Sequence, residues 1–267
     1  MSDLQILAIT RFAYPGLGGY QTEHETVEAR KAHLWHPDRM EARLRTLEHV
    51  SLRTLSMQSD SDFRTLVITG ADLPEPWRGR LERIVSGLKG GTIVYHPDEP
   101  YRDAIRNAVL PHIDPEGPPV LQFRHDDDDG VARRFVARAR ETFTALEHVW
   151  AQHKRLTIDF NRGYLLNLTP DGPRVEETFL SYICIAQAIV LAPTNRRTAL
   201  HFPHHRLGTL MPSFTLPDAP MWLRGIDGTN DSGQAGQLKR LKPADEEQKR
   251  VLRRRFALDL KAIRESF

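Results

Sequence analysis

The sequence predicts an α/β protein built on an open, mostly parallel sheet with helices on both faces. Three observations lead there. Short apolar runs of strand length alternate four times with helix-spaced segments in the first half of the chain. Arg11, Gly70-Ala71-Asp72 and Asp126-Asp127-Asp128-Asp129 stand where three of those runs stop, and sheets of this kind bind ligands beyond the carboxyl ends of their strands. With 267 residues, 40% of them hydrophobic, the chain is long enough for one sizeable core.

Taken in order, Leu4 to Thr10 is the first buried-strand candidate, ending at Arg11-Phe12-Ala13-Tyr14 before the loop Pro15-Gly16-Leu17-Gly18-Gly19. Pro37 to Met57 places Met40, Leu44, Leu47, Val50, Leu52 and Leu55 mostly at helical spacing, with Asp38 able to cap. Strands are expected at Arg64–Thr69, Thr92–Tyr95 and Val120–Arg124, and helices over Pro76–Leu88, Tyr101–Ile113 and Val131–Val149. The second half reads differently. Arg155–Phe160 and Tyr164–Leu168 flank Asn161-Arg162-Gly163 as a hairpin. Thr169 to Pro173 is a turn, Ile-rich Phe179–Leu191 a strand, and Asp245 to about Glu265 one C-terminal helix.

Totals narrow the function classes. The net charge of +2 does not mark the whole molecule as a nucleic-acid binder. The charge is uneven: Lys239 to Phe267 carries ten Lys/Arg against five Asp/Glu, which leaves −3 on the remainder. Cys184 is the single cysteine, so no intrachain disulfide forms and a reducing, cytoplasmic setting is expected. Met1-Ser2-Asp3-Leu4 lacks the basic and apolar regions of a signal peptide, and the apolar run Tyr182–Ala192 is too short to cross a bilayer.

The most telling stretch is Asp126-Asp127-Asp128-Asp129-Gly130, directly after the apolar run Val120–Phe123 and Arg124-His125. A helix start favours one or two carboxylates; four in a row repel one another. Carboxylates at alternate positions of an extended turn can share a hard divalent cation, Mg²⁺ or Mn²⁺, that keeps positions open for phosphate oxygens. The spacing does not match an EF-hand loop.

Arg124-His125-Asp126-Asp127-Asp128-Asp129 resembles the Arg-x-Asp-x-Asp-Asp segment of GT-A glycosyltransferases, and Leu52 to Thr69 resembles their helix, Gln-x-x-x-x-Phe turn and second strand. More narrowly, the whole chain is similar to a bacterial family of rhamnosyltransferases. Arg11 to Tyr20, the Asp cluster, Trp222-Leu223 and Gly228-Thr229-Asn230-Asp231-Ser232 carry that likeness. The resemblance implies a GT-A, Rossmann-like sheet. It implies Asp128 as cation ligand and Asp126 on the donor ribose or the cation. Asp129 and Arg124 would shape the cleft at the sugar or diphosphate, with Asp127 in the same donor-binding turn. Arg11 and Asp72 would lie against the base, although Asp72 also suits a helix cap before Leu73-Pro74. His204 or His205, in His201-Phe202-Pro203-His204-His205, would complete the metal shell; surface histidines are the plainer alternative.

The loop Pro15–Gly19 lacks the Gly-Lys-Ser/Thr of a P-loop and reads as a cover over the donor. A carboxylate base for the acceptor hydroxyl is sought among Glu176, Glu177, Asp227 and Asp231, with Asp227 favoured and Glu177 next. The expected protein is a metal-dependent glycosyltransferase moving a sugar from a nucleoside-diphosphate donor to a hydroxyl of a glycan or lipid-linked acceptor. Residues 1–150 are expected to hold the donor, 151–238 to form the acceptor side of the same domain, and 239–267 to form a basic helix. Arg253-Arg254-Arg255 could touch anionic lipid at the membrane's inner face; a docking helix with a solvated basic side is the alternative. Two rival readings are a sugar-nucleotide-forming nucleotidyltransferase and a non-catalytic polyanion-binding module.

Overall fold

The computed structural model describes residues 3–18, 24–217, 219–227 and 235–267. The first four strands form where the apolar runs predict: β1 (Gln5–Arg11), β2 (Arg64–Gly70), β3 (Gly91–His96) and β4 (Val120–Arg124). They lie parallel in the order β3-β2-β1-β4, with Ile9 opposite both Leu66 and Arg124. Alternate residues of β1 serve different layers. Ile6 and Ala8 face a core shared with α2 (Pro37–Thr46), α4 (Trp77–Ser86) and α6 (Phe135–His153). Leu7 and Ile9 face Ala104, Ile105 and Ala108 of α5 (Tyr101–Val109). Helices therefore cover both faces, as the α/β reading requires.

Before β2, α1 (Val27–Leu34), α2 and α3 (Leu52–Ser56) follow β1, and a single π turn, Leu47–Ser51, joins α2 to α3. All six apolar positions expected on one face of this segment are buried. Its start differs from expectation. Pro37 occupies the first turn after His36, and Asp38 lies within that turn rather than capping it. The helix expected from Val131 begins only at Phe135, because Gly130–Val131 is spent as strand β5, paired with β11.

The second half departs further. β6 (Arg155–Phe160) and β7 (Arg162–Thr169) are not a hairpin. β6 joins the seven-stranded sheet between β9 (Ala188–Leu191) and β10 (Ser213–Leu216), giving the order β10-β6-β9-β4-β1-β2-β3. β7 opens a five-stranded sheet with β8 (Gly172–Phe179), β11 (Trp222–Gly225), β12 (Lys242–Pro243) and β5, in the order β12-β8-β7-β11-β5. Packing decides the split. Leu156 to Phe160 are all buried, as suits an interior strand, whereas Gly163 lies under Trp222, where a Cβ would come within 2.2 Å of the indole. The Trp222 Nε1–H also donates to the Phe160 carbonyl at 2.7 Å, stapling the chain where it changes sheets.

The hairpin that does form is β7–β8, turning at Thr169–Gly172 with Gly172 at φ 120°. The single strand expected over Phe179–Leu191 is interrupted: β8 stops at Phe179, and Tyr182 and Ala186 adopt positive φ before β9 begins. After α7 (Leu207–Leu210) and α8 (Ala235–Leu238), the expected C-terminal helix is two, α9 (Glu246–Arg255) and α10 (Leu260–Glu265). Ala257 at φ 58° breaks it, and Asp259 caps the second piece. One apolar cluster joins Ile6 and Phe123 of the first sheet to Leu165, Trp222 and Leu223 of the second and to Leu252 and Ile263 of the tail.

Candidate active site

The site forms where β1 and β4 end side by side. The His125 N–H donates to the Ile9 carbonyl at 3.0 Å, extending the β1–β4 ladder by one bond. Beyond it the chain turns, and the Asp129 N–H closes back on the Asp126 carbonyl at 3.2 Å. Asp127, Asp128 and Asp129 are buried, so the four carboxylates are not a solvated acidic tip.

Arginines divide them. Asp126 receives Arg11 Nη2 at 3.1 and 3.2 Å on its two oxygens and Arg124 Nε at 2.9 Å, with a further Arg124 Nη2 contact. Burial pushes its carboxyl up, but the Arg11 and Arg124 guanidinium charges outweigh that and hold it well below the usual carboxylate range. Arg43 of α2, buried itself, bridges Asp127 Oδ1 at 2.9 Å and Asp128 Oδ2 at 3.0 Å. Burial pushes the Asp127 carboxyl up to about 7; Arg43 opposes this and Asp128 adds to it. Asp129 is buried, at 3% exposure. Burial first, then the Asp128 and Asp126 charges, push it well above its ordinary range, against the pull of Arg224 and Arg124.

The neighbouring elements fit closely. Gly225, at the end of β11, packs so tightly on the turn that a Cβ would stand 2.5 Å from the Asp128 carbonyl oxygen. Immediately after it, Asp227 and Asp128 line one cleft of about 200 Å³, with Arg45, Leu166, Asn167 and Ile226 among the other walls. His125 is fully buried beside Phe123, and burial lowers its imidazole to about 4, so it stays neutral behind the turn.

The other residues singled out from sequence divide by location. Arg11, Arg124, Asp126, Asp127, Asp128, Asp129 and Asp227 are gathered here. Asp72 follows β2 but is mostly exposed and pairs with Lys31, which also holds Asp98. The His204 Nδ1–H donates to the Tyr182 carbonyl, 2.7 Å away, and His205 packs edge-on against His204 at 5.4 Å. Burial lowers the His204 imidazole, the Tyr182 carbonyl raises it, and Arg124, His205 and Arg224 lower it further; those arginines belong to the Asp turn. Glu177 lies on β8, paired with Arg162 at 2.7 Å, and Glu176 pairs with Arg240; the structure does not bring either to the turn. Asp231, with Gly228 to Ser232 and Gly19-Tyr20, lies outside the described residues.

Sequence reasoning missed Arg43 and Arg224. The only signal for Arg43 was indirect: a buried run of carboxylates demands countercharge. No local pattern says which arginine of a helix supplies it.

A divalent cation can be tested against this donor set. Among the described residues no group of three or more His, Cys, Asp or Glu encloses an ion. A Mg²⁺-type site does not need one, since one or two carboxylates, waters and substrate phosphates complete its shell. Asp126 is already engaged on both oxygens. Asp129, buried and raised by like charge, with Asp128 beside it, has the chemistry of a carboxylate pair that takes a hard cation.

The profile of a family described as "Putative rhamnosyl transferase" matches residues 5–239. No curated protein matches the chain. Among solved structures, S. aureus TarS residues 1–349 in complex with UDP aligns at 12% identity and TM-score 0.43, covering 84% of this chain and 61% of that one. TarS 1–349 without that ligand in its description aligns at 10% identity and TM-score 0.42, covering 83% and 60%. The 4-diphosphocytidyl-2C-methyl-D-erythritol synthase of Anaerococcus prevotii aligns at 10% identity and TM-score 0.34, covering 85% and 90%. The chain thus spans about 60% of the length of the S. aureus structures it matches first.

Proposed function

The chain belongs to the putative rhamnosyl transferase family, and from that premise we propose that it is a metal-dependent glycosyltransferase. It moves a sugar from a nucleoside-diphosphate donor to a hydroxyl of a glycan or lipid-linked acceptor. The observation that carries this reading is the buried Asp turn at the adjoining ends of β1 and β4, threaded by Arg11, Arg43 and Arg124.

In this reading Asp126 holds the Arg11 and Arg124 guanidiniums in place, so that both face the donor's anionic and polar groups without reorganising on binding. Arg43 fixes the shape of the turn from behind. Asp128 and Asp129 would hold the cation, Mg²⁺ or Mn²⁺, which when bound would supply positive charge to the leaving diphosphate. His204 stands ready to join that shell. Asp227 lines the same cleft as Asp128 and takes the acceptor hydroxyl's proton. Residues 1–150 serve mainly the donor and 151–238 the acceptor, although β5 crosses to the five-stranded sheet and β6, β9 and β10 to the seven-stranded one.

No helix among the described residues is long and apolar enough to cross a membrane. We place the protein in the cytoplasm, touching anionic lipid through exposed Arg253 and Arg254 of α9 and exposed Arg133 and Arg134 beside them.

The test is a thermal-shift panel of UDP, GDP and dTDP with and without Mg²⁺ or Mn²⁺. One nucleotide is expected to stabilise the protein only with metal, by about 2.7 kcal/mol at a hundredfold excess over its Kd. Stabilisation by none of them, metal present, would end the nucleotide-sugar reading; an equal shift without metal would end the cation's part in it. A product formed from nucleoside triphosphate and sugar 1-phosphate would point instead to nucleotidyl transfer.

A further inference from the structure

Residues 178–217 contain no Asp or Glu. Within them, Arg196 to Arg206 carries three arginines and three histidines, on a chain whose residues before Lys239 sum to −3. The fold sets this run against α5, on the face of the seven-stranded sheet opposite α2, α4 and α6. The turn Ala199–His201 packs on α5, and Leu200 joins the apolar cluster of Ala104, Ile105 and Ala108. The Ala199 N–H donates to the Gln122 side-chain oxygen on β4 at 2.9 Å, and the Thr198 N–H to His201 Nδ1 at 3.1 Å. The run is thus tied to the sheet and closed on itself.

Charges from the two elements meet there. Arg102 and Arg106 are four residues apart on α5 and share one side of it. Asp103 offsets Arg106. Arg102, Arg196, Arg197 and Arg206 are exposed and make no ion pair among the described residues. Burial lowers the His201 imidazole, the Arg102 backbone raises it, and the Arg106, Arg102 and Arg197 charges lower it further. One end of this basic face adjoins the Asp turn. Arg102 follows Tyr101, whose ring lies 5.4 Å from the Arg11 guanidinium. His204 donates to the Tyr182 carbonyl on the strap of residues 180–187 between β8 and β9, and the strap's Ala186 N–H donates to the Arg124 carbonyl at 3.2 Å.

We propose that this face binds a glycan carrying anionic groups along its length and leads it to the Asp turn as the acceptor. The binding stands on the charges above, and the acceptor role rests on the glycosyl-transfer reading. Guanidiniums spread along a surface, without carboxylates to occupy them, suit a chain that repeats phosphate or carboxylate groups. Tyr101 and Phe202, the aromatic residues of these two segments, are buried, so the face offers no stacking platform for the bases of a single-stranded nucleic acid.

The full chain is titrated with fluorescein-labelled dextran phosphate and with fluorescein-labelled neutral dextran of the same length, and binding is read by anisotropy with no nucleotide present. Dextran phosphate is expected to bind at least about tenfold more tightly than dextran and to weaken several-fold between about 0.05 and 0.2 M NaCl. Arg196→Glu/Arg197→Glu and Arg102→Glu/Arg206→Glu are each expected to weaken it about tenfold or more, whereas Arg253→Glu/Arg254→Glu on α9 changes it less than about twofold. Both of the first two variants are expected to keep the wild-type thermal midpoint, since the replaced side chains are exposed. Equal binding of the two dextrans overturns the proposal, as does dextran phosphate binding that survives both reversals or is lost only with Arg253 and Arg254. Tighter binding of a single-stranded thymidine oligonucleotide of matched phosphate content also overturns it, because the face would then serve nucleic acid. The two readings fail separately. Dextran phosphate binding with no stabilisation by any nucleoside diphosphate would end glycosyl transfer and the acceptor role while keeping the anion-binding face, and the reverse pattern would end this proposal alone.

Discussion

Arg43 is the residue on which the Asp turn depends most. It is 4% exposed and bridges two buried carboxylates that would otherwise repel. Its own guanidinium loses by burial but gains more from Asp127, Asp128 and Asp227, which hold it firmly charged. A buried pair adds little net stability when intact, yet removing one member leaves an uncompensated charge. Arg43→Ala is therefore expected to cost roughly 3–5 kcal/mol in urea denaturation. Asp128→Asn keeps the volume and removes one carboxylate charge beside Arg43, so its stability loss is expected to be about 1 kcal/mol or less. Its transfer rate is expected to drop about a hundredfold or more, because charge on the leaving diphosphate is no longer balanced. An Arg43→Ala variant as stable as wild type would show that the turn is held by something else. Wild-type turnover by Asp128→Asn would remove Asp128 from the chemistry.

At the scale of elements, the strap from β8 to β9 hangs on Asp159, whose two oxygens accept from the Tyr182 N–H and the Thr215 hydroxyl, the latter at 3.1 Å. Burial raises its carboxyl pKa, against the lowering effect of both hydrogen bonds. The folded value thus lies above the unfolded one, so this group favours the fold most below the unfolded pKa and loses that contribution as pH rises through the folded value. Asp159→Asn keeps an acceptor for Tyr182 and can donate to Thr215, so it is expected to flatten that slope at little cost near pH 7. Asp159→Ala leaves the Tyr182 N–H unpaired and should cost about 1–3 kcal/mol and speed labelling of the half-buried Cys184 thiol by methyl methanethiosulfonate. Equal labelling rates in wild type and Asp159→Ala would show that the strap holds its path without this anchor. The sequence announced neither strap nor sheet switch, for a physical reason. The β1–β4 strands are short apolar runs, each legible by itself, although β4 returns to pair with β1. Leu156 to Phe160 looks the same whether its neighbour is Tyr164–Leu168 or Ala188–Leu191; the choice is made by Trp222, some sixty positions away, lying over Gly163. The positive φ at Tyr182, Ala186 and Ala257 is equally silent, since neither Gly nor Asn marks those positions. At the site, the carboxylates were legible because four in a row have few uses, whereas their arginine partners come from helix and strand positions where charge is ordinary.

For the whole molecule, one core binds both sheets and the tail, with Leu252 of α9, Phe256 just after it and Ile263 of α10 buried in it. The tail's charge is therefore turned outward, and α9 meets the start of α6, where the Arg133 N–H donates to the Arg255 carbonyl at 2.8 Å. That contact places exposed Arg133 and Arg134 beside exposed Arg253 and Arg254, on a chain whose remainder is mildly acidic. Glu141 offsets part of this through Arg134, and Glu246 and Glu247 pair with Lys249 and Arg250 at the far end of α9. Each arginine near an anionic leaflet contributes roughly 1 kcal/mol, falling away within a Debye length of about 8 Å at physiological salt. Four of them bring the protein to a membrane reversibly, which suits an enzyme whose acceptor is lipid-linked. Co-sedimentation with vesicles containing 30–40% (roughly) phosphatidylserine is expected at low salt and to fall several-fold by about 0.3 M NaCl. Arg253→Glu/Arg254→Glu should reduce it about tenfold or more without altering nucleoside-diphosphate binding, because both are exposed and the end of α9 lies beside Pro220 and Met221, which Arg255 contacts just before β11, away from the Gly225 end of that strand at the Asp turn. Binding equal on neutral and anionic vesicles, or unchanged by the double reversal, would leave the basic face as a solvated surface and confine the tail to bracing the core.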